Sequence, residues 1–281
     1  MSIIDPRIFS DGILDSFNPI TLNEMDSVKL MNRTDTKFVF RVDFLEDFLN
    51  EIKENYRILI VDGNRISHYE TLYFDTKDFH LFLDHHNGKA NRFKVRYRSY
   101  SECNLTFFEI KIKNNKGRTH KVRIREKEVK YVIEGDCNAL LNRYAPFPAE
   151  DLFPSLEVNF DRLTIVNKEL TERVTLDMHL GFRNDILTKG YPGIVITEVK
   201  LDRSRHSGFI QLMHHHGIPE FRISKYCLGV SSLYDHIKKN NFKPKILQIN
   251  KINQNALKTF SDCIPVSSVA FSGSSGFLTK V

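Results

Sequence analysis

The sequence predicts an α+β protein built on an antiparallel β-barrel of about eight strands, with helices packed on its outside. First, apolar and polar residues alternate along many short segments, as in strands with two different faces. Second, the polar faces of widely separated segments are charged, so they cannot form the apolar interior of an ordinary β-sandwich. Third, segments of helical periodicity lie between these strands. A barrel accommodates all three features, because its interior can be polar while its outer surface packs under helices.

The individual elements follow in order from the N-terminus. Residues 19–31 have the pattern of a short amphipathic helix that begins near Asn18 or Thr21. In the helix predicted for residues 43–55, Asp43 and Glu46 have the spacing of a capping box. Further helices are predicted at 78–86, 137–144, 207–217 and 224–239. Strands are predicted at 33–40, 57–62, 66–75, 92–98, 107–113, 121–125, 154–166, 173–177 and 194–201.

The 281 residues are predicted to form one domain and a tail. All the predicted elements lie within residues 1–240. Beyond that point the periodicity is lost, and residues 261–276 are rich in Ser and Gly. We therefore expect a single domain over residues 1–240 and a flexible C-terminal tail over residues 241–281.

The composition favours a cytoplasmic protein. The longest aliphatic run, residues 58–61, is far shorter than the ~20 residues that a membrane span requires. The N-terminus lacks the basic region and apolar stretch of a secretory signal. The four cysteines have neither zinc-site nor disulfide-framework spacing, so we expect reduced thiols.

Positive charge is concentrated in one block of the chain. Residues 91–130 hold thirteen Lys and Arg against four Glu, whereas the net charge of the whole chain is only +6. The rest of the chain is therefore net negative. This distribution differs from the general basic coat of a nonspecific nucleic-acid binder and indicates a localised anion site.

Within this block, three predicted strands share an apolar face and a cationic face. Phe93, Val95 and Tyr97 alternate with basic residues, and residues 107–113 and 121–125 continue the pattern. The basic side chains on the common face are Arg92, Lys94, Arg96, Arg98, Lys111, Lys113, Lys121, Arg123 and Arg125. Like charges placed opposite one another destabilise a sheet, so a face that is nearly single-signed suggests a bound anion rather than simple solvation.

Closing the strands into a barrel would direct charged side chains from both halves of the chain into one lumen. The basic residues expected there are Arg33, Lys37, Arg96, Arg98, Lys111, Arg123, Arg125, Arg173 and Lys200. A polyanion is the ligand that would stabilise such a concentration of charge. Glu109 and Glu198 would face the same lumen, where their carboxylates could hold a hard divalent cation.

An ordered set of motifs resembles the polyphosphate polymerase domain of the vacuolar transporter chaperone (VTC) family, which belongs to the triphosphate tunnel metalloenzymes. The motifs are RTDTKF (33–38), TLYFDT (71–76), KVRYR (94–98), FFEIK (107–111), LEVNFDR (156–162), ERVTLD (172–177), ITEVK (196–200) and FRISKY (221–226). The resemblance extends over about residues 25–237.

The resemblance implies an ATP-dependent phosphotransferase. Such domains transfer the terminal phosphoryl group of ATP to a growing inorganic polyphosphate chain inside a cationic tunnel, with Mn²⁺ or Mg²⁺ as cofactor. The implied partners are ATP and polyphosphate. Because the sequence contains no membrane segment, delivery of product at the inner face of a membrane would require a membrane protein partner.

The resemblance and the strand pattern together assign roles to individual residues. The residues expected to act in phosphoryl transfer are Lys225, Arg96, Arg98 and Lys200. Those expected to hold the phosphate chain are Lys37, Lys111, Arg123, Arg125, Arg162, Arg173, Arg222 and Ser224. Glu198 matches the metal-binding carboxylate, and Glu109 is the second carboxylate expected in the lumen. Ser224 also lies at the start of a predicted helix, where backbone N–H groups attract anions.

Other functions remain open at this point. A tunnel triphosphatase would hydrolyse tripolyphosphate or a nucleoside triphosphate with the same lumen. A non-catalytic receptor would bind polyphosphate and report it to a membrane partner. A nucleic-acid ligand is not expected, because stacking aromatics should share the cationic face, whereas Phe93, Tyr97 and Phe108 lie opposite it.

Overall fold

The computed structural model describes Phe9 and residues 12–26, 33–116, 118–202 and 206–262. Its strands are β1 (Asn18–Ile20), β2 (Arg33–Arg41), β3 (Tyr56–Leu59), β4 (Ile66–Asp75), β5 (Arg92–Tyr100), β6 (Leu105–Lys113), β7 (Thr119–Glu126), β8 (Phe153–Asn167), β9 (Glu172–Arg183), β10 (Thr188–Tyr191) and β11 (Ile194–Asp202). Its α-helices are α1 (Leu22–Asp26), α2 (Leu45–Ile52), α3 (His80–His86), α4 (Gly135–Tyr144), α5 (Gly208–His215), α6 (Lys225–Leu233) and α7 (Lys243–Asp262). Short 3₁₀ turns occur at Leu14–Ser16, Val42–Phe44, Ala149–Asp151 and Asn240–Phe242.

Eight strands form one continuous antiparallel path in the order β2-β11-β9-β8-β4-β5-β6-β7. The short strands β1, β3 and β10 attach to its side. Among the described residues no hydrogen-bonded ladder joins β2 to β7, so the curled sheet remains open between them. The predicted α+β fold, with about eight antiparallel strands in a barrel-like sheet and helices packed on its outside, is confirmed with this one opening, except that α6 packs against the concave face.

The outer surface of the sheet is apolar and lies under helices. Alternate residues of β2, β8, β9 and β11 pack against α2 and α5, where Phe48 and Phe209 are buried. The outer faces of β4 to β7 pack against α4 and form a second core, and Tyr97 and Phe108 are buried in this core. Because side chains alternate across a strand, burial of these residues directs their polar neighbours to the concave face.

The concave face changes character along the strands. Val39, Ile194 and Ile196 belong to a third apolar cluster that includes α6. Lys37 and Glu198 are the next residues on the same side of these strands. The helix α6 therefore fills one part of the curled sheet with apolar side chains and leaves a polar part beside its N-terminus.

The N-terminal helices differ from the sequence prediction in two ways. The capping box lies at α1, where Glu24 N–H donates to Thr21 Oγ1 at 3.3 Å and Thr21 N–H donates to Glu24 Oε2 at 2.8 Å. The predicted box at Asp43 and Glu46 is wrong, because Asp43 lies in a 3₁₀ turn and accepts a hydrogen bond from Arg41 Nε at 2.9 Å. Residues 27–31 of the first predicted helix lie outside the described residues.

Further corrections concern the C-terminal part of the chain. The predicted tail is wrong for residues 243–262, which form the 20-residue helix α7. This helix packs on the molecule with Ile249 and Ala256 fully buried, two positions whose separation of seven residues places them on one helix face. Residues 263–281 lie outside the described part. The last predicted helix ends at Leu233 instead of 239, and the hairpin strand β10 was not predicted. None of the described helices is both long and apolar enough to cross a membrane.

Candidate functional site: a cationic chamber

The polar part of the concave face is a chamber lined by charged side chains from most strands of the sheet. Strand register places Lys37 opposite Glu198, and Arg96 opposite Glu109. Arg162 lies opposite Asp177 in the same way. We call this region the cationic chamber and define it by Lys37, Lys94, Arg96, Arg98, Lys111, Arg162, Lys200 and Lys225.

Contacts across the chamber show that the sheet curls around it. Lys94 on β5 donates a hydrogen bond to Ser224 Oγ at the start of α6, at 2.9 Å. Lys225, the next residue, forms an ion pair with Asp177 on β9. Burial lowers the pKa of Lys111 on β6, and the charge of Glu198 on β11 acts on that pKa in the opposite direction. Strands that are distant in the sheet order therefore face one another.

Glu198 is a partly accessible carboxylate in the chamber, with its side chain 20% exposed. Its Oε2 lies 2.8 Å from Lys200 Nζ, and its Oε1 lies 3.3 Å from Lys37 Nζ. Burial opposes ionisation, but the charges of Lys200 and Lys37 outweigh it and hold the pKa of Glu198 well below its ordinary value. Glu198 is therefore ionised at neutral pH.

Glu109 has a different environment from the one the sequence predicted. Its side chain is only 1% exposed, and Oε2 accepts hydrogen bonds from Arg96 Nε at 2.9 Å and Nη2 at 2.6 Å. Oε1 accepts from Lys121 Nζ at 3.1 Å. Although burial opposes ionisation, Arg96 and Lys121 lower the pKa of Glu109 to about 2. Both oxygens thus hold cations of the chamber wall, a geometry that favours a positioning role over metal binding.

Asp177 is a second buried carboxylate and was not predicted as a site residue. Arg162 donates to it in a bidentate manner, with Nε–Oδ1 at 2.6 Å and Nη2–Oδ2 at 2.8 Å. Lys225 Nζ donates to the same Oδ2. Asp177 therefore joins a cation on β8 to a cation on α6.

An aromatic pair lies beneath three of the cations. The rings of Tyr69 and Phe160 stack with centroids 5.0 Å apart and an interplanar angle of 18°. The guanidinium carbon of Arg162 lies 4.7 Å from the Tyr69 centroid, and Lys225 Nζ lies 4.4 Å from that of Phe160. Arg98 lies 5.6 Å from the Tyr69 centroid. Because ring faces attract cations, the pair holds these groups without neutralising them.

Tyr73 adds an acidic hydroxyl to the chamber wall. Arg96 Nη1 donates a hydrogen bond to its hydroxyl oxygen at 3.1 Å. Burial alone would raise the pKa of this phenol, but the charges of Arg96, Arg98 and Lys94 lower it to about 7. The wall is therefore positive enough to stabilise a phenolate.

The N-terminus of α6 completes the chamber. Ser224 is the N-cap and its hydroxyl oxygen accepts from Cys227 N–H, as the sequence predicted for a helix start. Burial lowers the pKa of both Lys225 and Lys94 to about 8. The neighbouring cations Arg162 and Lys111, respectively, act in the same direction. The positive end of the helix and two desolvated ammonium groups thus converge where an anion would bind.

Some predicted substrate residues lie away from this convergence. Arg123 and Arg125 are exposed on the edge strand β7, with Arg123 4.3 Å above the Phe107 ring centroid. Arg222 is exposed, and its carbonyl oxygen accepts from Lys245 Nζ at 2.7 Å. Arg173, in contrast, is half-buried and lies opposite the chamber residue Lys200 in the ladder, so it stays beside the chamber. The side chain of Arg33 is outside the described part.

The chamber offers few oxygen ligands for a metal ion. Within the described ranges, no three His, Cys, Asp or Glu side chains converge as a metal site. Glu198 supplies one ionised carboxylate. This fits Mg²⁺, which is commonly bound through one or two carboxylates together with substrate phosphates. Glu109 is less suited to this role than Glu198, because its side chain is only 1% exposed, whereas that of Glu198 is 20% exposed.

Sequence reasoning missed one anionic and three aromatic residues of the chamber. Asp177, Tyr73 and Phe160 lie in the motifs given above, and Tyr69 lies just before one of them, but the non-basic residues selected there were Glu109, Glu198 and Ser224. Lys94 and Lys121 were placed on the cationic face without a site role. The strand alternation that selected Arg96 and Arg98 also predicts Lys94, so the signal was present for that residue.

The fold and the site together define a class of protein in which a curled antiparallel sheet surrounds buried, converging cations. The chain belongs to the VTC domain family, because the model of the VTC domain matches residues 32–234. This confirms the family expected from the motifs.

The fold is also similar to that of solved structures with low sequence identity. A candidate adenylate cyclase from Bacillus halodurans is 12% identical, with a TM-score of 0.47, over 73% of this chain and 98% of the other. A candidate adenylate cyclase from Vibrio parahaemolyticus is 11% identical, with a TM-score of 0.42, over 69% of this chain and 95% of the other. HpAC1 from Hippeastrum, described with a dominant triphosphatase activity, is 13% identical, with a TM-score of 0.42, over 72% of this chain and 98% of the other. No curated protein matches the chain at a significant level.

Proposed function

We propose that this protein is a polyphosphate polymerase that transfers the terminal phosphoryl group of ATP to a polyphosphate chain in the cationic chamber. The observation that carries the proposal is the set of buried cations, among them Arg96, Arg98, Lys200 and Lys225, that share the chamber with the partly accessible carboxylate of Glu198 in a chain of the VTC domain family. Phosphoryl transfer depends mainly on positioning and charge stabilisation, which such a chamber supplies.

In this mechanism the protein acts through fixed charges. Arg96 and Arg98 bind the equatorial phosphate oxygens, where negative charge develops during transfer. Lys225, at the N-terminus of α6, contacts the transferred group, while Lys37 and Lys111 hold the neighbouring phosphates of the chain. A terminal phosphate oxygen of the chain is the nucleophile, so no side chain has to form a covalent intermediate.

Mn²⁺ or Mg²⁺ is the proposed cofactor, with Glu198 as its protein ligand. A bound divalent cation would neutralise phosphate oxygens during transfer. Lys37 and Lys200 keep Glu198 ionised and oriented before the metal arrives. We further propose a cytoplasmic location, with any export of product depending on a membrane protein partner.

The purified protein, incubated with ATP and Mn²⁺ and assayed for long polyphosphate and free phosphate, tests the proposal. Long chains with release of ADP are expected. Free phosphate as the main product would instead identify a triphosphatase, and tight polyphosphate binding with neither product would identify a receptor. Either result would overturn the polymerase assignment.

Glu198→Gln tests the metal role separately. We expect turnover to fall by roughly a hundredfold or more, while metal-free tripolyphosphate binding is retained, because the substitution removes the metal ligand and no cation. Glu157→Gln, on the outer face of β8, is the matched control and should retain activity. Equal wild-type activity with and without a chelator would exclude this role for Glu198.

A further inference from the structure

Asp177 is an anion in a chamber whose other features favour anionic ligands. Its side chain is 3% exposed, and it lies at the centre of β9 among the chamber cations. A buried carboxylate at this point repels any phosphate chain that enters. Its presence therefore requires a function that outweighs this cost to ligand binding.

The geometry indicates what that function is. Arg162 lies directly opposite Asp177 in the β8–β9 ladder, whereas Lys225 comes from α6, 48 residues further along the chain. Both cations also lie near the Phe160 ring, at 5.2 Å and 4.4 Å from its centroid. Without Asp177 two desolvated cations would lie close together beside this ring and repel.

The ion pairs leave hydrogen-bond donors available to a ligand. Arg162 uses two of its five N–H donors on Asp177, and Lys225 directs one of its three to the same carboxylate. The remaining donors can bind phosphate oxygens while the two side chains stay in place. This arrangement is pre-organised, because the cations do not have to be collected when the substrate enters.

We propose that Asp177 is a positioning residue that orients Arg162 and Lys225 for phosphoryl transfer and, through its charge, weakens the binding of the phosphate chain. Asp177 thereby lowers the affinity for the phosphate chain and raises the turnover rate. The turnover part rests on the proposed function above, whereas the binding part needs only a polyphosphate ligand.

Asp177→Asn tests the proposal, since it keeps the shape of the side chain and removes the charge. We expect tripolyphosphate to bind roughly tenfold more tightly, while turnover at saturating ATP falls about tenfold or more. We also expect a lower melting temperature without ligand and a larger stabilisation by tripolyphosphate than in the wild type. A merely structural role would lower stability without tightening the binding.

Glu157→Gln is the matched control, because it also removes a carboxylate that pairs with an arginine between β8 and β9. Glu157 Oε2 accepts from Arg183 Nε at 2.7 Å, but on the outer face of the sheet. The control should change neither affinity nor turnover. Unchanged or weaker tripolyphosphate binding by Asp177→Asn would overturn the proposal, as would undiminished turnover.

A double variant keeps the test decisive if Asp177→Asn does not fold. Asp177→Asn combined with Lys225→Met removes one charge of each sign, so it should bind tripolyphosphate more tightly than Lys225→Met alone. Equal binding by these two variants would refute the charge effect. A wild-type protein that binds tripolyphosphate but forms no polymer would refute the proposed function, and the affinity comparisons would still decide the role of Asp177.

Discussion

At the scale of single residues, the chamber cations differ in how they are held, and this decides which of them is the most informative to mutate. Arg96 is tied to the buried carboxylate of Glu109, so its removal would also leave that carboxylate poorly compensated. Arg98 instead donates from Nε to Thr71 Oγ1 at 3.1 Å and lies over aromatic rings. Substitution of Arg98 therefore reports on ligand binding with less disturbance of the fold.

Arg98→Ala should weaken tripolyphosphate binding by about 10- to 100-fold, the loss of one charge-assisted interaction of ~1.5–3 kcal/mol. Isothermal titration calorimetry measures this directly. Val95→Ala is the control, since Val95 lies on the same strand but is fully buried on the opposite face. It should lower the free energy of unfolding by about 2 kcal/mol and leave affinity unchanged. A binding defect in Val95→Ala equal to that of Arg98→Ala would contradict the assignment of the faces.

Two lysines at the N-terminus of α6, Lys225 in the helix and Lys94 on the neighbouring strand β5, predict that ligand binding depends on pH. The pKa values of Lys94 and Lys225 are about 8, because burial disfavours their charged forms. A bound polyanion favours those charged forms, so binding takes up protons near pH 8 and weakens as the pH rises. For one such lysine, affinity should fall roughly tenfold between about pH 7 and pH 9.

Calorimetry of tripolyphosphate binding across this pH range, with Lys225→Met as the comparison, measures the effect. The variant should bind more weakly at about pH 7 and show a shallower decline, because one of the two titrating lysines has been removed. A wild-type affinity that stays constant up to about pH 9 would show that neither lysine contacts the ligand.

At the scale of elements, α6 determines whether the chamber is complete. The helix lies very close to β8 and β9. A Cβ added at Gly229 would come within 2.6 Å of both Leu156 Cδ2 and Phe182 Cδ1. Helix propensity favours Ala over Gly by about 1 kcal/mol, so local preference and packing oppose each other at this position. Packing is expected to decide, since both neighbours are buried side chains on the sheet.

Gly229→Ala should therefore lower the free energy of unfolding by about 1–3 kcal/mol and reduce turnover, because displacement of α6 withdraws Lys225 from the chamber. Chemical denaturation and the polymerase assay measure the two effects. Gly190→Ala in β10 is the control, because its added Cβ would meet only Pro192 Cδ, at 3.8 Å. A Gly229→Ala protein more stable than the wild type would show that helix propensity, and not packing, dominates.

At the scale of the whole molecule, the separation of charge along the sequence becomes a separation in space. The basic block of residues 91–130 forms β5 to β7, one wall of the chamber. The opposite wall, from β2, β11 and β9, mixes Lys37 and Lys200 with Glu198 and Asp177. The chamber is therefore asymmetric, with a nearly all-basic wall facing one that contains carboxylates.

Binding of tripolyphosphate should consequently depend strongly on salt. With several cations engaged, affinity should fall on the order of a hundredfold between roughly 50 and 200 mM salt, with a linear relation between the logarithms. Lys111→Ala should make the slope shallower. Lys168→Ala, in the exposed turn after β8, should not change it. A slope near zero would show that the ligand is held by neutral groups rather than by the chamber cations.

The sequence predicted the strands well where the two faces differ strongly in polarity, as in β5 and β6. It failed for α7 because the two fully buried positions, Ile249 and Ala256, lie among polar residues. Arg96, Arg162 and Lys225 were predicted as site residues from the strand pattern and the motifs, but Asp177 was missed, because its pairing with Lys225, 48 residues away, depends on the tertiary structure.

The sequence by itself determined the α+β fold, the VTC family and the cationic face, since alternation and charge are local properties of the chain. Only the tertiary structure decided which charges meet. Curling of the sheet brings Lys225 against Asp177 and Lys94 against Ser224, although these pairs lie 48 and 130 residues apart. It also gives Glu109 and Glu198 different environments, because burial and neighbouring cations depend on all the strands around them.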